Sequence, residues 1–172
     1  MIDIKKQYKH LLLLVMVILF LTGCFSESIN KRISRSLGIE IPKDIKIEYE
    51  DTHGGFHGDG ETVAVVEFNN SIGEDIQSEM LNNEDWNKLP LSENLDLIMY
   101  GGKKEGMDYA YNLAELLDMP PIENGYWFFD NRHSNSISPK EDSNLFNQSS
   151  FNFTIAVYDI DTQTLYYLEF DT

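Results

Sequence analysis

Apolar residues in this chain are distributed in three distinct ways, and each predicts a different kind of element. At the start, Lys5, Lys6 and Lys9 lead into the unbroken apolar run Leu11 to Leu21, which Thr22-Gly23-Cys24 closes with small residues. A charged start, a short apolar core and a small-residue end are the parts of a secretory signal peptide. Crossing a bilayer takes roughly 20 apolar residues, so this run is short for a permanent span. Residues 24–38 then read as a polar tether passing into a short helix, with Gly38 as its stop.

Alternation follows. Ile45, Ile47 and Tyr49 alternate with Lys46, Glu48 and Glu50, which predicts a strand with one wet face. The segment from Glu61 to Phe68 is apolar on both faces, as a central strand would be. The glycine-rich run from His53 to Gly60 between them predicts a hairpin with a long loop.

Helical spacing comes next. Ser71 and Glu74 have the spacing of a capping box ahead of Ile72, Ile76 and Met80. Leu91, Leu95, Ile98 and Met99 predict a second helix, ended by Gly101-Gly102. Tyr109, Ala110, Leu113, Leu116 and Leu117 predict a third, stopped by Pro120-Pro121. The aromatic run from Gly125 to Asp130 reads as a buried strand, and the polar stretch from Arg132 to Ser150 as a mobile surface loop. Phe151, Phe153, Ile155 and Val157 line a further strand, Asp161 to Thr164 turns, and Leu165 to Phe170 returns. The expected fold is α+β: a mainly antiparallel sheet of about five strands, with helices clustered between two hairpins. The expected organisation is a signal peptide over 1–23, a lipidated tether or short helix over 24–38, and one globular domain over 39–172.

Leu21-Thr22-Gly23-Cys24 resembles the lipobox of bacterial lipoproteins, in which the cysteine becomes the first residue of the mature chain. The resemblance implies alkylation of the Cys24 thiol by a diacylglyceryl group, cleavage by signal peptidase II, and a place on the outer face of the cell membrane. Two acyl chains hold firmly where one binds only marginally. Cys24 is the single cysteine, so a lipidated Cys24 leaves no thiol for a disulfide, a zinc site or a nucleophile.

The formal net charge is −16, and about −18 once the three signal lysines and Asp3 are gone. A field that negative repels nucleic acid and favours cations and basic partners. Lys31, Arg32 and Arg35 make the exception close to the lipid, where a basic cluster can rest on anionic headgroups.

Asp51-Thr-His-Gly-Gly-Phe-His-Gly-Asp-Gly60, Asn124-Gly-Tyr-Trp-Phe-Phe129 with Arg132-His-Ser134, and Asn152-Phe-Thr154 leading to Tyr158-Asp159 and Leu165-Tyr-Tyr167 carry a second likeness. Together they resemble a group of small lipoproteins and secreted proteins of low-GC Gram-positive bacteria, over most of residues 36–172. The resemblance implies a Gram-positive envelope setting and brings no catalytic residues with it.

Three histidines follow Cys24. His53 and His57 flank glycines beside Asp51 and Asp59, and His133 follows Arg132. Imidazole and carboxylate are the ligand set of zinc, so His53, His57, Asp59 and His133 are the candidate metal ligands. Gly54 and Gly55 argue against a helix, which excludes the zinc-protease HExxH arrangement. The glycine loop leads into a strand and lacks the lysine of a phosphate-binding loop. Asp159 to Phe170 lacks the glycine and glutamate of a calcium loop, and no serine has a hydrolase signature. Tyr126 to Phe129 reads as core packing ahead of a stacking platform.

The leading functional reading is a non-catalytic binding or accessory lipoprotein, attached to the membrane through Cys24 and engaging a protein or small ligand outside it. Two alternatives stay open: a metal-dependent enzyme or metal-binding protein built on the His53, His57 and Asp59 loop, and an immunity-type lipoprotein that blocks an incoming protein.

Overall fold

Helix α1 (Ile29–Leu37) packs first, and it explains how far the folded part reaches. The structure, a computed structural model, describes residues 27–54, 58–133 and 138–172. Ile33 and Leu37 of α1 are completely buried in one cluster with Ile76 and Tyr158. The core therefore includes residues of α1, which lies within the 24–38 segment read from sequence as a tether or short helix. Gly38 ends α1 at φ +65, and its N–H bonds back to the Ser34 carbonyl.

The remaining elements are β1 (Glu48–Asp51), β2 (Gly60–Glu67), α2 (Asn70–Leu81), β3 (Trp86–Lys88), α3 (Glu93–Tyr100), β4 (Gly102–Lys104) and β5 (Met107–Tyr109). A 3-10 turn (Leu113–Leu117), β6 (Gly125–Asn131), a second 3-10 turn (Leu145–Asn147), β7 (Asn152–Asp159) and β8 (Thr164–Asp171) complete the chain. The fold is α+β. One sheet has the order β1-β2-β8-β7-β6-β3 with every neighbour antiparallel, and β4 and β5 form a separate hairpin.

The sheet has six strands, one more than the pattern predicts. The extra strand, β3, is three residues long, too short to show alternation. Its Trp86 is buried, donates its indole N–H to the Leu37 carbonyl at 3.1 Å, and lies against Phe128 with ring centroids 5.6 Å apart. The β4–β5 hairpin turns through Glu105 at φ 52 and Gly106 at φ 82, the backbone that a tight two-residue hairpin demands.

Four further expectations need correction. The third helix is only the 3-10 turn Leu113–Leu117: Tyr109 belongs to β5, and Leu116 is 44% exposed. Asp118 adopts φ 48 and ends the turn before a second turn of helix can form. Helix α2 is capped by Asn69, whose side chain accepts from the Ile72 N–H at 3.1 Å, in place of Ser71. Pairing of β1 begins at Glu48 opposite Val65, so Ile45 and the buried Ile47 pack ahead of the strand. The polar stretch after Arg132 includes the second 3-10 turn and the fully buried Leu145.

Both faces of the sheet are covered. Ala64 and Val66 of β2, Tyr126 and Phe128 of β6, and Tyr158 of β7 pack under α1 and α2. Val63 and Val65, Trp127 and Phe129, and Val157 pack instead toward α3 and the first 3-10 turn. Successive strand residues point to opposite faces, which is why β2 and β6 read as apolar throughout.

Candidate functional site

Along the face under α1, the strands change character from one end to the other. Inward positions of β8 run Leu165, Tyr167, Glu169, Asp171, from apolar to acidic. Beside them β2 runs from Val66 through Ala64 to Thr62, and β7 from Tyr158 through Ala156 to Thr154. At the polar end Thr62 is fully buried and Glu169 is 8% exposed. A carboxylate so little hydrated needs a partner charge.

Arg32, on the first turns of α1, supplies it. Its guanidinium bonds to Glu169 Oε2, lies 2.7 Å from Asp51 Oδ2 and donates to Thr62 Oγ1 at 3.1 Å. Burial works against the Arg32 cation, but the hydrogen bonds and charges of Asp51 and Glu169 outweigh it and hold its pKa above the ordinary value. Burial likewise raises the Asp51 carboxyl, yet hydrogen bonds from Arg32 and His53 overcome it and bring it down to about 2. On the far side of Glu169, the Tyr167 hydroxyl donates to Oε1 at 2.6 Å. Burial and the neighbouring carboxylate push that phenol well above its usual range.

His53 continues the chain. Its Nδ1 lies 2.8 Å from Asp51 Oδ1 and 3.1 Å from Thr62 Oγ1, and its Nε2 lies 3.0 Å from Asp171 Oδ2. Arg132 then reaches both oxygens of Asp171, at 3.0 and 3.1 Å, and the Phe153 carbonyl at 3.0 Å. The result is an alternating line of groups, Glu169, Arg32, Asp51, His53, Asp171 and Arg132, that ties α1 to the ends of β1, β2 and β8. An ionised carboxylate only accepts, so the ring satisfies both aspartates when it carries a proton on each nitrogen.

The candidate metal ligands are placed as follows. His53 is in this network with both ring nitrogens facing carboxylates. Asp59 is exposed beside β2, and His57 lies outside the described residues, as does Cys24. His133 is buried just past β6, where its backbone N–H donates to Asn131 Oδ1 at 3.2 Å. His53 and Arg132 both bond Asp171. Among the described residues, no group of three or more His, Cys, Asp or Glu side chains is arranged to hold a metal ion.

Thr62, Glu169 and Asp171 were not singled out from sequence, and Arg32 only as part of the basic cluster near the lipid; its guanidinium instead faces Glu169 and Asp51. The available signal was the acidic continuation of an inward-facing alternation, Glu169 and Asp171 following Leu165 and Tyr167. This network ties α1 to the ends of the strands, with each carboxylate matched to a basic neighbour within the chain. No protein-family profile matches the chain, and no curated protein or solved structure matches it.

Two surface features are more open. One is an apolar hollow of about 260 Å³ on the α3 face, lined by Leu89, Pro90, Leu91, Tyr100, Ile122 and Val157. The Tyr100 hydroxyl beside it donates to the Pro120 carbonyl at 3.1 Å, and burial with the nearby Asp96 pushes its pKa up to about 12. The other is the outer edge of β1, where all four residues are exposed.

Proposed function

We propose that this chain is a lipid-anchored envelope protein of Gram-positive type, which binds a partner at the outer face of the cell membrane and catalyses no reaction. The observation that carries the reading is the spacing between the lipobox and the fold. Helix α1 begins at Ile29, five residues beyond Cys24, and Ile33 and Leu37 already belong to the core. An extended chain spans at most about 3.5 Å per residue, so the domain is leashed within roughly 20 Å of the lipid. Such a leash suits a protein whose work is done against the membrane surface. Among the described residues no helix is long and apolar enough to cross a membrane. The inward commitment of the His53 network supports binding over catalysis, since its acids and bases already serve one another.

The test is metabolic labelling of the full chain with a radioactive fatty acid, followed by fractionation. Cys24→Ser is expected to abolish the label and block cleavage of the signal. A cleaved Cys24→Ser protein that stays labelled and membrane-bound would overturn the anchoring half of the reading.

A further inference from the structure

The backbone of β1 has one satisfied side and one open side. Beyond the end of β1, the Thr52 N–H donates to the Glu61 carbonyl at 2.8 Å, which turns Thr52 toward β2. In an antiparallel pair this orientation alternates, so Glu50 and Glu48 also face β2, while the N–H and C=O groups of Tyr49 and Asp51 point outward. Among the described residues no other strand covers that side, since β1 ends the sheet. An uncovered edge is a template for one more strand.

The side chains around it select what can pair. Glu48 and Glu50 share a face with Val65 and Val63, their partners on β2, where the exposed Leu116 and Asp118 adjoin them. Asp44 and Glu67 lie near the start of the strand, where Lys46 is engaged at 3.0 Å by Glu48. Tyr49, on the other face, is 55% exposed. Pairing with a second copy of this edge would bring carboxylates opposite carboxylates, which is destabilising. A basic strand meets the opposite situation.

We propose that the outer edge of β1 is a docking site for an extended, basic segment of a partner protein, added antiparallel to the sheet. This rests on the binding reading above and names the chemistry of the partner. The register fixes the pattern. A residue opposite Tyr49 exchanges both backbone hydrogen bonds with it. Residues opposite Glu48 and Glu50 fall at the closer, non-hydrogen-bonded positions, where lysine or arginine meets each carboxylate. The segment therefore carries basic residues two apart, with a β-branched residue between them.

The test uses the full chain, purified in neutral detergent, and a capped Thr-Lys-Val-Lys-Thr peptide. Hydrogen exchange at the Tyr49 and Asp51 amides is expected to slow at least threefold on adding the peptide. Binding, followed by fluorescence anisotropy, is expected to weaken at least tenfold in the Glu48→Lys/Glu50→Lys double variant, both sites being exposed and the melting temperature serving as a fold check. The same peptide with an N-methylated valine keeps the charges but loses its donor to the Tyr49 carbonyl and sets a methyl group against it, which blocks the pairing, so it is expected not to slow exchange. Absence of slowing at millimolar peptide overturns the proposal, as does equal slowing by the N-methylated peptide. A chain that dimerises through this edge without peptide also overturns it, in favour of a second copy. Fatty-acid labelling at Cys24 is unaffected by any of these outcomes, so failure at the edge and failure of the anchor are separate results.

Discussion

Arg32 neutralises two carboxylates drawn from opposite ends of the chain, and Glu169 is the one with the least water around it. Removing a partner from a buried charge costs about 3–5 kcal/mol; Arg32 keeps some solvent contact, so about 2–4 kcal/mol is the expected loss for Arg32→Met. Urea denaturation checks this, and adding Glu169→Gln to Arg32→Met is expected to recover part of the loss, because the stranded charge is then gone. Asp51 makes the matching pH prediction. Its folded pKa of about 2 lies below the ordinary 3.8, so its contribution is complete above that ordinary value and disappears as pH falls through about 2. Asp51→Asn is therefore expected to be less stable than the parent at pH 6, with the gap closing at pH 2; a constant gap across that range would show that the carboxylate's charge is not what stabilises. Sequence pattern identified the loop holding Asp51 and His53 but not their partners. Asp51 and Arg32 are 19 residues apart and Arg32 and Glu169 are 137 apart, distances that only the sheet register closes.

At the scale of elements, the long strands and the helix stops were legible because each carries its period over several residues. Glu61 to Phe68 and Phe151 to Val157 alternate or stay apolar long enough to be read, and Gly38 and Gly101 end their helices where expected. What escaped was short. Strand β3 has one buried side chain, and β4 and β5 present mostly exposed residues to water, so neither has an apolar period. The 3-10 turn Leu113–Leu117 carries helical spacing but only one turn's worth of chain, and its outer leucine stays wet. A glycine whose role is packing also left no pattern. At Gly125, opposite Asp159 on β7, an added Cβ would stand 1.9 Å from the Tyr158 carbonyl oxygen. That atom is backbone inside the sheet and cannot swing aside. Overpacking ordinarily costs about 1–3 kcal/mol, and Gly125→Ala is expected at or beyond the upper end. A thermal melt lowered by less than a few degrees would mean that β6 shifts to make room.

For the molecule as a whole, composition already told how the surface behaves, and the sheet now tells how the interior does. Away from the polar corner, Asp159 is a further buried carboxylate, and it accepts from the Asp161 N–H and the Thr162 hydroxyl at the β7–β8 turn. Elsewhere two apolar layers lie on opposite faces of a single sheet, one around Ile76 and one around Ile98. Every long strand contributes to both layers, since alternate residues of β2, β6, β7 and β8 point each way. Neither layer can melt while the sheet stays intact, because the strands would then expose an apolar face to water. Ile76 and Ile98 are almost wholly buried, and truncating either to alanine removes several methyl groups from a packed site, a loss of about 2–5 kcal/mol. If the layers are coupled through the sheet, Ile76→Ala and Ile98→Ala will each lower one shared transition. The indole fluorescence of Trp86 on the α1 face and of Trp127 on the α3 face will then follow the same curve in both variants. Single-tryptophan versions made by Trp86→Phe and Trp127→Phe separate the two signals. Should Ile98→Ala release the Trp127 face at a lower urea concentration than the Trp86 face, the two layers are separate folding units, and the sheet does not bind them into one.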